Sequence, residues 1–271
     1  MPTVARLSIS PVKGLRLFHP DSIEIDLDGV SGDRVFYLVD SEGRMANGKL
    51  VGELVQVEAR LDAGLDRLTL RFPGGGGAGG GAGGGGAGGG GTVVEGDART
   101  LGAAVETSFY GRPVTGRVVE GPFAEALSET AGRAVRLVRA DHVSAACDVL
   151  HPVSLLSRGS CDELARRSGD PRLADDRRFR MLIVVDGCTA HEEDTWEGRR
   201  VRIGDAVIDV AGDVGRCVIT GHSPDTGRTD ADTLKEIAAY RGAPEGRISF
   251  GMYADVVAAG RVRVGDAVAP L

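Results

Sequence analysis

The sequence is poor in aromatic residues, in surplus positive charge and in long hydrophobic runs. Aromatic side chains make up 4% of its 271 residues, and the formal net charge is -7. This acidic balance argues against a general nucleic-acid surface, because phosphate binding depends on clustered Lys and Arg. No apolar run approaches the roughly 20 residues that cross a bilayer, and the opening MPTVARLSIS lacks the regions of a signal peptide. We therefore expect a cytoplasmic protein that binds neither nucleic acid nor a membrane.

Cysteine is also scarce. The four cysteines are Cys147, Cys161, Cys188 and Cys217, and no two of them form a CxxC pair. This spacing indicates neither a disulfide scaffold nor a structural zinc site. The HEED stretch at 191–194 lacks the HExxH spacing and a second histidine cluster, so it does not predict a zinc site either. We expect reduced thiols, the first three packed as small hydrophobic side chains.

Glycine, by contrast, reaches 42 residues, which favours short strands and tight turns over long helices. Alternating apolar and polar residues predict strands at 4–10, 22–27, 34–40, 54–61, 67–72 and 133–140. Helical spacing predicts helices at 97–109, 121–132, 157–169 and 230–242. The predicted fold is therefore α+β and predominantly β.

One segment has almost no side chains. Residues 74–91 comprise fifteen Gly and three Ala, so nothing there can offset the entropy lost when a backbone becomes ordered. We predict a disordered surface loop that connects two strands of one domain. Its GxGxxG spacing is trivial, and no helix follows at the position that a phosphate-binding turn requires.

The stretch VGRCVITGHSPDTG, residues 214–227, places Arg216 beside Cys217 at the end of a predicted strand. A thiolate is a nucleophile and a soft metal ligand once its pKa is lowered, and an adjacent guanidinium favours that form. Cys217 is therefore the best candidate for a reactive thiol. The alternative is a half-buried strand cysteine whose neighbour faces the other way, since strand side chains alternate.

Several motifs resemble those of a known family. FRMLIVVDG (179–187), EEDTWEG (192–198), GRCVIT (215–220), SPDTG (223–227) and FGMYADVV (250–257) are similar to a MOSC domain, the module related to the C-terminal part of molybdenum cofactor sulfurases. VARLSISPVKG (4–14) and DGVSGDRVFYLVDSEGRM (28–45) resemble the β-barrel domain that precedes MOSC in amidoxime-reducing proteins. The resemblance implies an N-terminal β-barrel domain at 1–120 and a C-terminal MOSC β-barrel at 121–271.

The resemblance also implies a molybdenum-pterin site. Cys217 matches the cysteine that ligates molybdenum, and Lys13, Arg34, Arg180 and Tyr253 match positions that hold the anionic pterin and its phosphate. Lys suits this task as a point charge and Arg as a bidentate fork, and Arg216 would add to the positive charge. Each residue also has an alternative role that involves no cofactor. Lys13 and Arg180 could be solvated charges at strand ends, Arg34 could pair with Asp33 or Asp40, and Tyr253 could lie in the core.

Five positions depart from the family pattern. Leu182 stands where the family has Asn, Leu150 and His151 replace a Thr-Ser pair, Gly14 replaces Ser, and Gly215 replaces a small polar residue. Each change removes a hydrogen bond to a polar ligand, at a cost of about 1 to 3 kcal/mol.

These observations leave three functions open. The resemblance implies a molybdenum-pterin oxidoreductase that takes electrons from a separate donor protein and reduces an N-hydroxylated small molecule. The second is a pterin-free enzyme or sulfur-transfer protein, with Cys217 as nucleophile or persulfide carrier, His151 or His222 as base and a basic cleft for an anionic substrate. The third is a noncatalytic sulfur carrier or binding module that needs only the thiol.

Overall fold

The structure is a computed structural model that describes residues 1–46, 48, 50–74, 91–109, 111–141 and 151–271. The described chain is predominantly β with a nearly closed barrel sheet, which confirms the predicted fold class. Leu150, Cys147 and most of the glycine-rich loop lie outside the described residues. Among the helices of the described ranges, none combines the length and the apolar character that a bilayer crossing demands.

The strands, in chain order, are β1 Thr3–Leu7, β2 Ser22–Asp26, β3 Gly29–Val30, β4 Phe36–Asp40, β5 Met45–Ala46, β6 Glu58–Leu61, β7 Arg67–Arg71, β8 Val93–Asp97, β9 Leu101–Phe109, β10 Arg112–Val119, β11 Val135–Ala140, β12 Val153–Ser157, β13 Ile183–Asp186, β14 Arg200–Ile203, β15 Ala206–Gly215, β16 Ser249–Ala258, β17 Gly260–Arg263 and β18 Val268–Pro270. The α-helices are α1 Phe123–Ala131, α2 Arg158–Ser168 and α3 Thr233–Arg241. Short 3-10 helices include Gly52–Gln56, Asp176–Phe179, Glu192–Trp196 and Val218–Gly221.

Four sheets among the described residues enclose two large hydrophobic cores, one in each half. In the C-terminal half, a seven-stranded sheet has the order β1-β13-β12-β16-β15-β14-β18, beside a three-stranded sheet β17-β2-β3. The N-terminal half contains the sheets β5-β4-β11-β10-β9 and β6-β7-β8. Leu7, Ile183 and Met252 lie in the first core, and Phe36 and Leu137 lie in the second.

The chain crosses between the halves more than once. Strand β1 pairs with β13 in the C-terminal sheet, and β2 pairs with β17. In the other direction, β11 pairs with β4, and α1 buries Phe123 and Leu127 in the N-terminal core. The predicted boundary between residues 120 and 121 stays a prediction, while these contacts place α1 and β11 with the N-terminal sheets.

The helix predicted at 97–109 is wrong. Strand β9 occupies Leu101–Phe109 and pairs with β10 from Phe109 opposite Arg112 to Leu101 opposite Val119, with a register shift between Arg117 and Val119. The β-branched Val105 and Thr107 favour this extended form, and the paired strand supplies hydrogen bonds that the local spacing does not reveal. The strand predicted at 54–61 is also too long, because its first part belongs to the 3-10 helix Gly52–Gln56.

The other three predicted helices agree with the structure. The predicted helices at 121–132, 157–169 and 230–242 correspond to α1, α2 and α3, and the Ser157 side chain caps α2 by accepting from the Ser160 N–H. The glycine-rich segment connects β7 to β8, which are adjacent antiparallel strands of one sheet.

Candidate functional site

Cys217 lies on a turn at the end of a long strand. After β15 ends at Gly215, the Arg216 N–H donates to the Ile248 carbonyl at 2.7 Å, and the chain then leaves the sheet. The Cys217 carbonyl accepts hydrogen bonds from the N–H and the hydroxyl of Thr220, at 3.2 and 3.1 Å. Cys217 is half-buried, and the following Val218 is 55% exposed. The thiol is therefore carried by a surface turn rather than by the interior of a strand.

The Arg216 guanidinium points back into the protein. It donates to the Phe250 carbonyl at 2.7 Å, to the Phe179 carbonyl at 2.9 Å and to the Met181 sulfur at 2.8 Å. It also lies 5.4 Å from the centre of the Phe179 ring. These contacts hold the Phe179–Met181 segment in place, and a direct contact of Arg216 with a cofactor stays a prediction.

A second guanidinium holds the same segment from the N-terminal half. Arg34 donates to the Arg180 carbonyl at 3.0 Å and forms an ion pair with the buried Asp33, one of the two partners proposed for it from sequence. Asp33 also accepts the Ser10 N–H at 2.7 Å. Asp33 was not predicted as a site residue, although its position in the GDR motif was a signal that could have identified it.

Arg180 connects the two halves in the opposite direction. Its guanidinium donates to the Leu15 carbonyl at 2.7 Å. Lys13, two residues earlier, is fixed by its N–H bond to the Phe36 carbonyl at 2.8 Å, and its ammonium lies 5.1 Å from the Phe109 ring centre. Between them, Gly14 has φ of +92°, a conformation that serine rarely adopts. The structure thus brings Arg34 and Arg180 together where the halves meet, while the described contact of the Lys13 ammonium is with Phe109.

A small cleft lies beside this junction and shares Arg180 with it. It is lined by Gly52, Val55, Arg177, Arg178, Arg180, Ile219, His222, Ser223, Pro224 and Gly227. Arg178 is held by Asp230 at 2.8 Å and by the His222 carbonyl at 3.0 Å. The His222 Nδ1 atom is buried and has no hydrogen-bond partner among the described residues. The cleft therefore combines guanidinium groups with a ring nitrogen that a polar ligand could satisfy.

His151 and Tyr253 lie further along the sheet. The His151 Nδ1 atom is 2.8 Å from Asp255 Oδ1, and its ring centre is 6.1 Å from that of Tyr253. Asp255 lies seven residues along the chain from Ile248, whose carbonyl accepts the Arg216 N–H. The described contacts of His151 are thus with Asp255 and Tyr253, and its role as a base for Cys217 stays a prediction.

The positions that depart from the family pattern have different surroundings. Leu182 is 1% exposed and belongs to the C-terminal core, so its apolar side chain is accounted for by packing. Gly215 is exposed beside Arg247.

Two further cysteines are poor nucleophiles. Cys161 is fully buried, and this burial raises its pKa well above the usual thiol range. Burial, with the nearby carboxylates of Glu192 and Glu193, raises the pKa of Cys188 to about 12. Cys217, by contrast, is half-buried on a turn beside the exposed Val218.

Comparison with known proteins identifies two families. Residues 142–269 match the MOSC domain, and residues 1–80 match the MOSC N-terminal beta barrel domain. A bovine protein (Bos taurus), mitochondrial amidoxime reducing component 2, is 27% identical over 98% of this chain and 82% of its own length. The rat protein of that name (Rattus norvegicus) is 37% identical over 43% of this chain and 36% of its own length. A molybdenum cofactor sulfurase from Drosophila grimshawi is 26% identical over 93% of this chain. The match spans 32% of the length of that relative.

Proposed function

The chain belongs to the MOSC family and carries the family's N-terminal β-barrel domain, and on this basis we propose that it is a molybdenum-pterin oxidoreductase that reduces N-hydroxylated small molecules. The observation that carries the proposal is the junction of the halves, where Arg34 donates to the Arg180 carbonyl and Arg180 donates to the Leu15 carbonyl. The names of the relatives support the substrate class, since two of them are amidoxime reducing components.

The residues present fit a thiolate-ligated metal and an anionic organic group. Cys217 offers a soft thiolate donor on a half-exposed turn. Guanidinium groups suit a phosphate at the junction, and the buried Nδ1 of His222 offers a hydrogen bond that no described residue satisfies. Leu182 lies in the core and offers the pterin no polar contact, so the fit depends on the charged groups and the thiol.

Each side chain has a separate task in this proposal. Cys217 holds the metal, and Lys13, Arg34 and Arg180 hold the pterin and its phosphate, with Tyr253 as a further contact. When bound, the molybdenum-pterin group supplies two-electron oxygen-atom chemistry. Reduction of an amidoxime to an amidine consumes two electrons and two protons and releases water, and an external donor protein supplies the electrons. The chain's contribution is to position the groups and to stabilise negative charge.

A second candidate is a pterin-free enzyme or sulfur-transfer protein that uses the Cys217 thiolate. The pairing of His151 with Asp255 favours this alternative, because a carboxylate fixes the tautomer of a histidine that acts as a base. The sulfurase relative also supports sulfur chemistry. In this candidate the basic junction holds an anionic substrate rather than a pterin.

Turnover of an amidoxime tests the leading proposal. The full chain is produced in a host that makes the cofactor, supplied with chemically reduced methyl viologen as electron donor, and amidine formation is measured by chromatography. We expect wild type and Cys188→Ser to form amidine, and Cys217→Ser to be at least about tenfold slower, since metal affinity depends on each ligand. Equal turnover in Cys217→Ser, or none in wild type that contains molybdenum, would contradict the proposal.

A further inference from the structure

The HEED segment forms a cluster that its spacing in the sequence does not predict. His191, Glu193 and Asp194 each offer one donor atom, and these three atoms all lie within 4.8 Å of one another. The segment includes the 3-10 helix Glu192–Trp196, which is preceded by His191 in a left-handed conformation with φ of +62°. The cluster shares no residue with the proposed molybdenum site.

Glu193 is the unusual member of the cluster. Its side chain is fully buried, with a relative exposure of 0%. One carboxylate oxygen, Oε1, accepts from the Ser157 N–H at 3.1 Å and from the Ser160 hydroxyl at 2.7 Å. The other oxygen, Oε2, is buried and has no hydrogen-bond partner within the part of the chain that the structure describes. A buried carboxylate oxygen without a partner costs free energy, and a bound cation would remove that cost.

His191 is held as metal-binding histidines are. Its Nε2 atom is 3.1 Å from the Tyr240 hydroxyl, and its backbone N–H donates to the Ser160 hydroxyl at 2.9 Å. When Nε2–H donates to Tyr240, the Nδ1 lone pair is left on the side of Asp194, whose Oδ2 is 3.8 Å away. Such an outer partner fixes the tautomer and ring orientation of a metal ligand.

Asp194 is fixed in a similar way. Its Oδ2 accepts from the Arg241 guanidinium at 2.6 Å, which holds the carboxylate beside His191. All three candidate ligands therefore have a second contact that orients them: Ser157 and Ser160 for Glu193, Tyr240 for His191 and Arg241 for Asp194.

We propose that His191 Nδ1, Glu193 Oε2 and a carboxylate oxygen of Asp194 bind one divalent transition-metal ion, with Zn²⁺ as the representative ion. One imidazole and two carboxylates form a donor set that zinc accepts, and the two negative charges balance the ion. Three protein ligands leave one coordination position for water or a substrate. A surface pocket of about 470 Å³, lined by Glu163, Arg167, Ala190, His191, Tyr240 and Arg241, gives solvent access to the histidine.

Zinc titration of the full chain tests this site. The protein is stripped with EDTA, desalted, and treated with a reversible thiol-blocking reagent so that zinc bound by cysteine does not contribute. Isothermal titration with Zn²⁺ then compares wild type, His191→Ala and Glu193→Gln. The matched control is Glu192→Gln, the same chemical change one residue earlier, where the carboxylate accepts from Thr189 rather than joining the cluster.

We expect one zinc ion bound to wild type and to the Glu192→Gln control. Glu193→Gln keeps the acceptor for Ser160 but loses a negative ligand, and His191→Ala loses the nitrogen donor. Each substitution should raise the Kd for zinc by about 100-fold, which is the upper end of the range that substitutions around a metal site produce. Circular dichroism and urea unfolding show which variants are folded, and either folded variant suffices for the comparison.

Absence of zinc binding in wild type, or equal affinity in all four proteins, overturns the inference. Glu193 is then a buried carboxyl group with a purely structural role. Because the titration needs no pterin and no free thiol, its result is independent of the molybdenum proposal.

Discussion

The Arg34 guanidinium donates a 3.0 Å hydrogen bond to the carbonyl oxygen of Arg180, and both residues hold left-handed backbone conformations, with φ of +52° and +53°. Such conformations are uncommon for residues other than glycine and persist where the surrounding structure enforces them. Arg180 in turn donates to the Leu15 carbonyl, so the junction is tied in both directions. Backbone strain and charge thus coincide at the proposed cofactor site.

Loss of this link should cost stability. Arg34→Ala leaves the carboxylate of Asp33, 7% exposed, without its guanidinium, and frees the Arg180 carbonyl. We expect the free energy of unfolding to fall by about 2 kcal/mol, measured by urea denaturation. The control is Arg67→Ala, which breaks an exposed ion pair with Glu95 and should cost less than about 1 kcal/mol. Equal losses in the two variants would show that the junction stabilises the fold no more than an exposed ion pair does.

The close approach of Gly52 to Gly227 gives a second test of the contact between the halves. A Cβ at Gly52 would lie 2.2 Å from the Gly227 carbonyl oxygen, so Gly52→Ala must push the two segments apart. We expect a loss of about 1 to 3 kcal/mol in urea denaturation. At Gly212 an added Cβ meets no described atom within 4 Å, so Gly212→Ala is the matched control and should be tolerated. An unchanged Gly52→Ala protein would mean that the halves are not packed as described.

Thiol chemistry should separate the described cysteines. At neutral pH in the folded, cofactor-free protein, iodoacetamide should modify the half-exposed Cys217 while the buried Cys161, whose pKa burial raises, stays unmodified. Because burial raises the pKa of Cys188 to about 12, its thiolate fraction and labelling rate should rise about tenfold per pH unit as the pH increases toward that value. Peptide mass spectrometry reads each site separately, with the unfolded protein as control. Rapid labelling of Cys161 in the folded state would show that Cys161 is not buried.

His151 gives a test that divides the two candidate functions. Under the leading proposal, His151 is not a base paired with Cys217, so His151→Gln and Asp255→Asn should leave the alkylation rate of Cys217 unchanged. The rate is measured between pH 6 and 9 in the cofactor-free protein, since a bound metal would mask the thiol. A nucleophile paired with His151 would instead react several-fold more slowly in both variants, which would favour the pterin-free candidate.

Patterns that are local in sequence predicted much of the fold. The start of α2 is set by a local contact, because the Ser157 side chain accepts from an amide only three residues along the chain. The period of two in the first third of the chain located β2 and β7 for the same reason. Strand β9 was missed because its partner β10, rather than its own spacing, determines its conformation.

The candidate site shows the same division. Arg34, Arg180 and Cys217 could be singled out by residue type and motif, but the bonds from Arg34 to Arg180 and from Arg180 to Leu15 join residues at least 146 positions apart. Local sequence carries no signal for such bonds. Glu193 can likewise be identified in the HEED motif. The serines that donate hydrogen bonds to its carboxylate, however, lie 33 and 36 residues away in the chain.

The central claim is that Cys217 is a molybdenum ligand, and metal content tests it most directly. Mass spectrometry of the metal in protein purified from a cofactor-producing host should find about one molybdenum per chain in wild type and in Cys188→Ser, and at least about tenfold less in folded Cys217→Ser. Wild type without molybdenum, or Cys217→Ser that retains it in full, would contradict the account.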